Sequence, residues 1–497
     1  MTDVVIGVDA STTAVKAIAF DRDGAELFQA RESYPLSNPQ PGYFEQDSED
    51  WWRALTGALR KVGEAIGPQR IAAIAIAHQR ETFTLIDAAG KPLIPAILWL
   101  DERARPQVAR LSRQFGRDTI RDWTGKPPDP TPALYAVVWL AEHRPEILRE
   151  AVAIVDVDGF FIRRLTGRLA TSTASVDPLG LLDPSSADWR YELVEAAGLT
   201  RAQLPEIVQP GSIVGVLVAD AARLTGLPLG LPVVAGAGDG QAMGLGMGIF
   251  EEGKAYLSLG SGVVGGTYLS TFRASDAFRT LIAPSGSGVM LETVLRSGMQ
   301  LVDWIVRTTG AASAAALEPA AARISAGSDG LLVMPYWSGV MSPYWDEAAR
   351  GVIIGLSLDH TPAHLFRAVL EGIAFEQAVA TEAMEQAIGR RLAPVTAAGG
   401  GANSALLMEI MASVLERPLA VSPVNEAAAL GAAMLAATAA GWYPSAGAAS
   451  AAMAAAPDRI VEPANGLVPI YRERKGIYRD LYQATRGIQT RLAALSG

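Results

Sequence analysis

Val4-Val5-Ile6-Gly7-Val8-Asp9-Ala10-Ser11-Thr12-Thr13-Ala14-Val15-Lys16, near the start of a 497-residue chain, is the stretch on which the fold turns. An apolar run, Val4–Val8, enters a turn of small and hydroxylated residues, Asp9–Thr13, and a second apolar run, Val15–Phe20, leaves it. Such a turn aims backbone N–H groups and hydroxyls at one point, an anion cradle suited to phosphate. Asp9, at the end of a buried strand, suits Mg²⁺, directly or through water, because that ion keeps several waters and takes few carboxylates. Lys16 adds positive charge nearby. An ordinary hairpin with a capping Asp has the same residues, so this turn alone settles nothing. Its recurrence carries more weight. Lys254–Leu259, Gly260-Ser261-Gly262 and Val263–Leu269 repeat the strand, small turn and strand about 250 residues later. Two copies of one device predict two similarly built domains.

Around these copies, apolar strands alternate with helical patterns, the signature of an α/β protein. An amphipathic stretch over Trp51–Ile66 predicts a helix, and Ile71–Ala77 a short buried strand. Thr82–Asp87 and Pro92–Trp99 read as a hairpin about Ala88–Gly90. Leu331–Pro335 and Val395–Ala398 predict strands. Thr361–Ala380 predicts a helix with Thr361 as N-cap and Pro362 at its first position, and Ser404–Leu415 predicts another. Asn425 is the expected cap of a helix through Ala437. The glycine-rich Gly236–Gly248 is the expected crossing between domains, as a hinge or a place of close ligand approach.

Composition narrows the functions. Apolar residues make up 49% and charged residues 19%, enough to bury large cores. The net charge of -10, with no Lys/Arg run, gives no electrostatic footprint for nucleic acid or an anionic membrane. With no cysteine, disulfides, thiolate metal sites and thiol nucleophiles are excluded together. The uncharged stretch from Ala427 to Pro457 is mostly Ala, broken by Gly431, Gly441, Pro444 and Gly447. A spanning helix needs about 20 mostly apolar residues. A buried helix, a turn and a second helix are expected instead. The opening Met1–Ser11 has no basic segment leading into an apolar core, so a cytoplasmic protein is expected.

Three further places carry reactive side chains. Asp239 stands alone among Gly236, Gly238 and Gly240, and a carboxylate there suits acceptance of a hydroxyl proton as that hydroxyl attacks a γ-phosphate. A turn Asp bonding its own backbone fits equally well. His78-Gln79-Arg80-Glu81 ends a strand. Arg80 and Glu81 are the kind of pair that binds neighbouring hydroxyls, Trp99 offers an aromatic face, and Asp101-Glu102-Arg103 would continue that wall. A salt-bridge cluster at a strand end is the plain alternative. Gly399-Gly400-Gly401 lies between a strand and a helix, where bare backbone admits a flat ring or a phosphate, or simply reverses the chain. His360 and His364 read as helix-terminal packing rather than a metal pair.

Taken in order, these pieces resemble the FGGY carbohydrate kinases, a branch of the actin-like ATPases, over nearly the whole chain. Gly7 to Lys16 is similar to the first phosphate motif. Arg164-Leu165-Thr166-Gly167 with Ala170-Thr171-Ser172 resembles the middle of the N-terminal domain. Met334-Pro335-Tyr336, Pro343-Tyr344-Trp345-Asp346, Ala349-Arg350-Gly351, His364 to Phe375 and Glu426 to Gly431 resemble the C-terminal domain. The resemblance implies two actin-like (ribonuclease H-like) α/β domains, residues 1–247 binding sugar and 248–497 binding nucleotide, about a catalytic cleft. It implies a kinase that uses ATP and Mg²⁺. Asp239 would be the general base and, with Asp9, would organise the metal. Ser11, Thr12, Thr13, Lys16, Gly260, Ser261 and Gly262 would surround the phosphates. Gly400, Gly401 and Asn403 would border the nucleotide. Gln79, Arg80, Glu81, Trp99 and Asp239 would face the sugar.

The substrate signals are mixed. Gln79-Arg80-Glu81 resembles glycerol kinases, whereas Thr124-Gly125-Lys126-Pro127 through Leu134 resembles xylulokinases, although the Met-His-Gly motif common in those is absent. Thr131 or a neighbour, where a glycerol kinase tyrosine is expected, and Gly240, where a glutamine is expected, remove bulk. A roomier pocket and a pentulose such as D-xylulose are therefore expected, ahead of glycerol or another short polyol. A non-catalytic ATP-binding regulator is the alternative from another class, which Arg80, Glu81 and Trp99 oppose. The resemblance also suggests a homodimer, with neither nucleic acid nor membrane as partner.

Overall fold

The computed structural model describes residues 3–493 and 495. Its first half is built on a six-stranded sheet. β1 (Val4–Ala10) and β2 (Ala14–Phe20) pair antiparallel and close the small-residue turn between them. β3 (Glu26–Ser33) adds to β2, and the long amphipathic helix α1 (Ser48–Ile66) covers them, buried through Trp51, Leu55, Leu59 and Val62. β4 (Ile71–His78) lies parallel to β1. β5 (Ile213–Val216) pairs antiparallel with β6 (Pro232–Gly238), which lies parallel to β4. The order is β3-β2-β1-β4-β6-β5. Strands β1 and β4 are apolar along nearly their whole length because both faces of the sheet are covered.

The glycine-rich stretch is no loose hinge. Its first part is the end of β6, and its second is helix α2 (Asp239–Gly246), which places Asp239 at a helix N-terminus.

The second half repeats the plan. β7 (Ala255–Leu259) and β8 (Val263–Leu269) form the second strand–turn–strand device. β9 (Arg279–Ile282) and β10 (Val289–Leu295) extend that side antiparallel. After α3 (Pro362–Ile388), strand β11 (Val395–Ala398) lies parallel to β7. Helix α4 (Ala405–Leu415), β12 (Leu419–Val421), α5 (Ala427–Ala439) and β13 (Arg459–Val461) complete it. The order β10-β8-β7-β11-β12-β13 matches that of the first sheet, strand for strand, with β9 added at one edge. Two copies of the actin-like α/β plan therefore face each other, as the two turns implied.

Helix α3 begins where expected, with Thr361 as cap and Pro362 first, but runs eight residues beyond Ala380 to Ile388. His364 Nδ1 accepts the Thr361 N–H at 3.1 Å and its Nε2 lies 3.2 Å from Asp329, a helix-start role as read. The expected hairpin over 82–99 shrinks to Phe83–Ile86 and Ala96–Ile97, joined through a single residue pair.

The Ala-rich stretch forms α5 and a second helix, Ala446–Met453, as expected, but Glu426 rather than Asn425 occupies the cap position of α5. The Glu426 side chain makes no cap hydrogen bond because it pairs with Lys16. Helix α5 packs against α2 and against β1 and β4 of the first sheet. The contact is backbone to backbone: a Cβ on Gly431 would stand 1.9 Å from the Ala242 carbonyl oxygen, and one on Gly246 would stand 2.0 Å from that of Ala427. Alanine and glycine are what this crossing requires. Among the described residues no helix is long and apolar enough to cross a membrane.

Candidate active site

Between the halves lies a cavity of about 470 Å³. Ser11, Thr12 and Thr13 of the first turn line it, as do Ser261 and Gly262 of the second. Arg80, Glu81, Trp99 and Asp239 line it too, so nine of the residues singled out in the sequence meet in one space. Leu36, Leu100, Val264, Val294 and Met341 supply apolar wall, and Thr131, Arg279, Arg296 and Gln300 supply polar groups.

Asp239 is fixed by geometry. Its Oδ1 accepts the Gly240 N–H at 2.7 Å and lies 3.0 Å from Arg80 Nε. Helix N-termini favour a carboxylate. Arg80 also reaches Glu292 Oε2 at 2.7 Å, while Arg279 lies 2.8 Å from Glu81 Oε1 and 3.2 Å from Glu292 Oε2. Tyr256 donates to Glu292 Oε1 at 2.7 Å. Arg80 and Glu81 come from the first half; Arg279, Glu292 and Tyr256 come from the second. The four charged side chains Arg80, Glu81, Arg279 and Glu292 are all at least 92% buried, so leaving any one unpaired would be costly. Burial pushes the Glu292 carboxyl up, but Arg80, Arg279 and Tyr256 outweigh it and hold it at about 2. Burial raises Glu81, with Arg279 and Arg80 opposing. Glu81 also adopts φ 58°, a left-handed backbone uncommon for a non-glycine residue.

Gly240 does not widen the cavity, as its lack of a side chain suggested. A Cβ there would meet Glu292 Oε1 at 2.7 Å and Arg80 Cζ at 2.9 Å, so the ion network already fills the space. Gln79 is likewise corrected. It is 1% exposed, donates to Gln46 Oε1 at 3.1 Å and does not line the cavity. Gln46 in turn donates to the Thr12 carbonyl at 2.5 Å, and Trp99 Nε1 donates to Thr12 Oγ1 at 3.0 Å. Gln79 and Gln46 therefore brace the first turn from behind.

Lys16 lies opposite Asp9 across β1 and β2, yet its ammonium is 2.6 Å from Glu426 Oε1 and is engaged there. Asp9 Oδ1 is buried with no hydrogen-bond partner. Burial pushes the Asp9 carboxyl up to about 7, with Asp239 adding to the effect and Lys16 opposing it. An orphaned buried carboxylate oxygen beside a second carboxylate fits a site for a hard cation. No group of three or more His, Cys, Asp or Glu side chains able to hold a metal occurs among the described residues.

The Gly260 carbonyl accepts the Met299 N–H at 3.1 Å, which braces the second turn. Gly401 packs on Leu259, the last residue of β7, with Cβ room of only 2.8 Å. Gly400 and Asn403 are exposed beside it. These three lie next to the second turn but outside the cavity lining. Asp101 and Arg103 do not continue the sugar wall. Arg103 lies 2.8 Å from Asp101 and 2.7 Å from Glu45 and stacks over Tyr43 at 4.1 Å, the salt-bridge alternative.

Arg279, Glu292, Tyr256 and Arg296 were not singled out in the sequence, and Glu426 was noted only as the start of a resembling stretch. None sits in a glycine-rich turn, and each meets its partner from another strand or from a distant part of the chain. The alternation of Glu292, Val294 and Arg296 was the one available signal.

Comparison with known proteins gives the same picture. Residues 4–246 match the family model described as FGGY family of carbohydrate kinases, N-terminal domain, and residues 255–440 match its C-terminal domain. The chain is 31% identical over 436 residues to a xylulose kinase of Escherichia coli (strain K12), covering 87% of this chain and 89% of that protein. It is 32% identical over 462 residues to a glycerol kinase of Thermococcus gammatolerans, covering 89% and 90%. The crystal structure of xylulose kinase from Rhodospirillum rubrum superposes with a TM-score of 0.90 at 26% identity, covering 98% of this chain and 99% of that one.

Proposed function

The chain belongs to the FGGY family of carbohydrate kinases, and on that premise we propose that it phosphorylates a pentulose such as D-xylulose, with Asp239 as general base. The observation that carries this reading is the single cavity shared by both small-residue turns, the Arg80–Glu81 pair, Trp99 and Asp239. Hydroxyls and backbone N–H groups of Ser11–Thr13 and Ser261–Gly262 would hold the phosphates of ATP. Gly400, Gly401 and Asn403 would border its nucleoside from behind the second turn. Arg80 and Glu81 would bind substrate hydroxyls against the Trp99 face.

In the reaction, the substrate oxygen attacks the γ-phosphorus, the bond to the β–γ bridging oxygen breaks, and ADP leaves. The hydroxyl proton passes to Asp239. Arg80 and the Gly240 N–H keep that carboxylate in place to accept the proton. Asp9, with Asp239, would hold Mg²⁺, which neutralises charge on the transferring phosphoryl group. Lys16 acts one step removed, by tying Glu426 and the start of α5 to β2. Positioning and charge neutralisation account for the rate; little covalent work falls to the protein. The division into a sugar-binding part, 1–247, and a nucleotide-binding part, 248–497, is supported by the two sheets, with α5 of the second part packed on the first sheet.

Thr131 at the cavity wall favours a substrate longer than glycerol. The Arg80–Glu81 pair favours glycerol, which stays as the second reading. A coupled ADP-release assay over pentuloses, hexuloses, polyols and glycerol separates them. The expected result is the highest kcat/KM with a pentulose. Preference for glycerol over every ketose would contradict the pentulose reading, and no turnover with any would contradict the assignment of the cavity.

A further inference from the structure

We infer that Arg296 is the specificity-determining residue at the far end of the substrate cavity, selecting a five- or six-carbon ketose or polyol by donating hydrogen bonds to its distal oxygens. The inference rests on the reading of the cavity given above and extends it.

Side chains alternate along a strand, so Glu292 and Val294 of β10, and Arg296 just beyond its end, share one face. Leu291 and Leu295 take the other and enter the core of the second domain. The shared face runs from the catalytic end of the cavity outward. Glu292 is bonded to Arg80, which holds Asp239. Val294 and Arg296 both line the cavity, Arg296 with its side chain beside Thr131 and its backbone beside Gly262. Four residues of extended chain separate Glu292 from Arg296, roughly 13 Å. A three-carbon polyol held at Arg80, Glu81 and Asp239 ends short of Arg296. A five- or six-carbon chain extends its last oxygens toward it.

The bonding of Arg296 shows what it can recognise. Only Nη2 is engaged, at 2.8 and 2.7 Å from the two Asp129 oxygens and 3.0 Å from Thr131 Oγ1. Nε and Nη1 have no hydrogen-bond partner among the described residues, and the side chain keeps 17% of its surface exposed. Asp129 Oδ1 is saturated, because it also accepts the Thr131 N–H at 2.9 Å and the Thr131 hydroxyl, while Oδ2 accepts from Arg296 alone. This wall therefore offers two free donors on an anchored guanidinium. Charge is balanced by Asp129, so a neutral, oxygen-rich chain end fits without a carboxylate. Thr131 provides the room, and Arg296 gives that room chemical character.

The test is kcat/KM for D-xylulose and for glycerol in wild type, Arg296→Ala and Arg296→Lys, by coupled ADP release. The expected result is at least a tenfold fall in the D-xylulose to glycerol ratio for Arg296→Ala, mainly through KM, with a smaller fall for Arg296→Lys. Loss of a merely structural contact with Asp129 lowers both substrates together. An unchanged ratio in both variants, with wild type active on D-xylulose, overturns the role of Arg296 and leaves the pentulose reading standing. Should Arg296→Ala not fold, Arg296→Lys carries the same comparison, since it keeps the charge and loses the planar fork. Wild type active on glycerol alone overturns the pentulose reading, and the inference with it.

Discussion

At Gly240 a hydrogen occupies the space between a helix start and two buried, oppositely charged side chains. Gly240→Ala would push a methyl group to 2.7 Å from Glu292 Oε1 and 2.9 Å from Arg80 Cζ. Arg80 would move, and Asp239 would lose its partner. The expected outcome is a destabilisation of about 1–3 kcal/mol with a larger proportional loss in kcat than in nucleotide affinity, read by thermal unfolding and steady-state kinetics. Wild-type kinetics in this variant would contradict the account of the Arg80 network. Gly240 also shows what single-sequence reading misses. A missing side chain looks like empty space until the residue that fills it is known, and Glu292 stands 52 positions away. For Asp239 the sequence left two even readings, a cleft carboxylate and a turn Asp bonding its own backbone; in the structure it both bonds the Gly240 N–H and lines the cavity. Gln79 was misplaced because a strand end gives no sign of which side chain turns toward the cavity. Lys16 was misassigned because its partner, Glu426, lies 410 residues on.

Elements were more legible than contacts. Both strand–turn–strand devices fall where the apolar runs predicted, since buried strands need continuous apolar sequence. Helix α3 outran its expected end because tertiary burial sustains it past Ala380. It also carries a titrating group. Burial pushes the Glu376 carboxyl up to about 7, against hydrogen bonds at 2.6 Å from the hydroxyls of both Tyr336 and Tyr478. The folded pKa lies above the ordinary 4.5, so the native state binds this proton more tightly than the unfolded chain. Its contribution is full below pH 4.5 and is lost as pH rises through 7, about 3 kcal/mol in all. Glu376→Gln removes that dependence. Urea midpoints at pH 5 and pH 8 should therefore differ less in the variant than in wild type; equal differences would contradict the buried, protonated carboxyl.

For the whole molecule, two repeats facing one cavity were legible in the two turns. The placement of α5 was not. Residues 427–439 follow β12 in sequence, yet they cover the first sheet, with Gly431 and Gly246 allowing backbone contact. A fragment of residues 1–247 would expose the face of β1 and β4 that α5 covers. It is expected to bind a hydrophobic dye and to lack a cooperative unfolding transition. Cooperative melting of that fragment would contradict the packing described here. The cavity depends on the same assembly, because each half supplies one turn and the ion network crosses between them.

The most direct test is Asp239→Asn, with ATP affinity measured by calorimetry and sugar-dependent ADP release measured in the same preparation. Nucleotide affinity close to wild type, with turnover lower by about 10²–10⁴-fold, is the predicted pair of results. Near-normal turnover would show that the proton leaves by another route and that the cavity is not where transfer occurs.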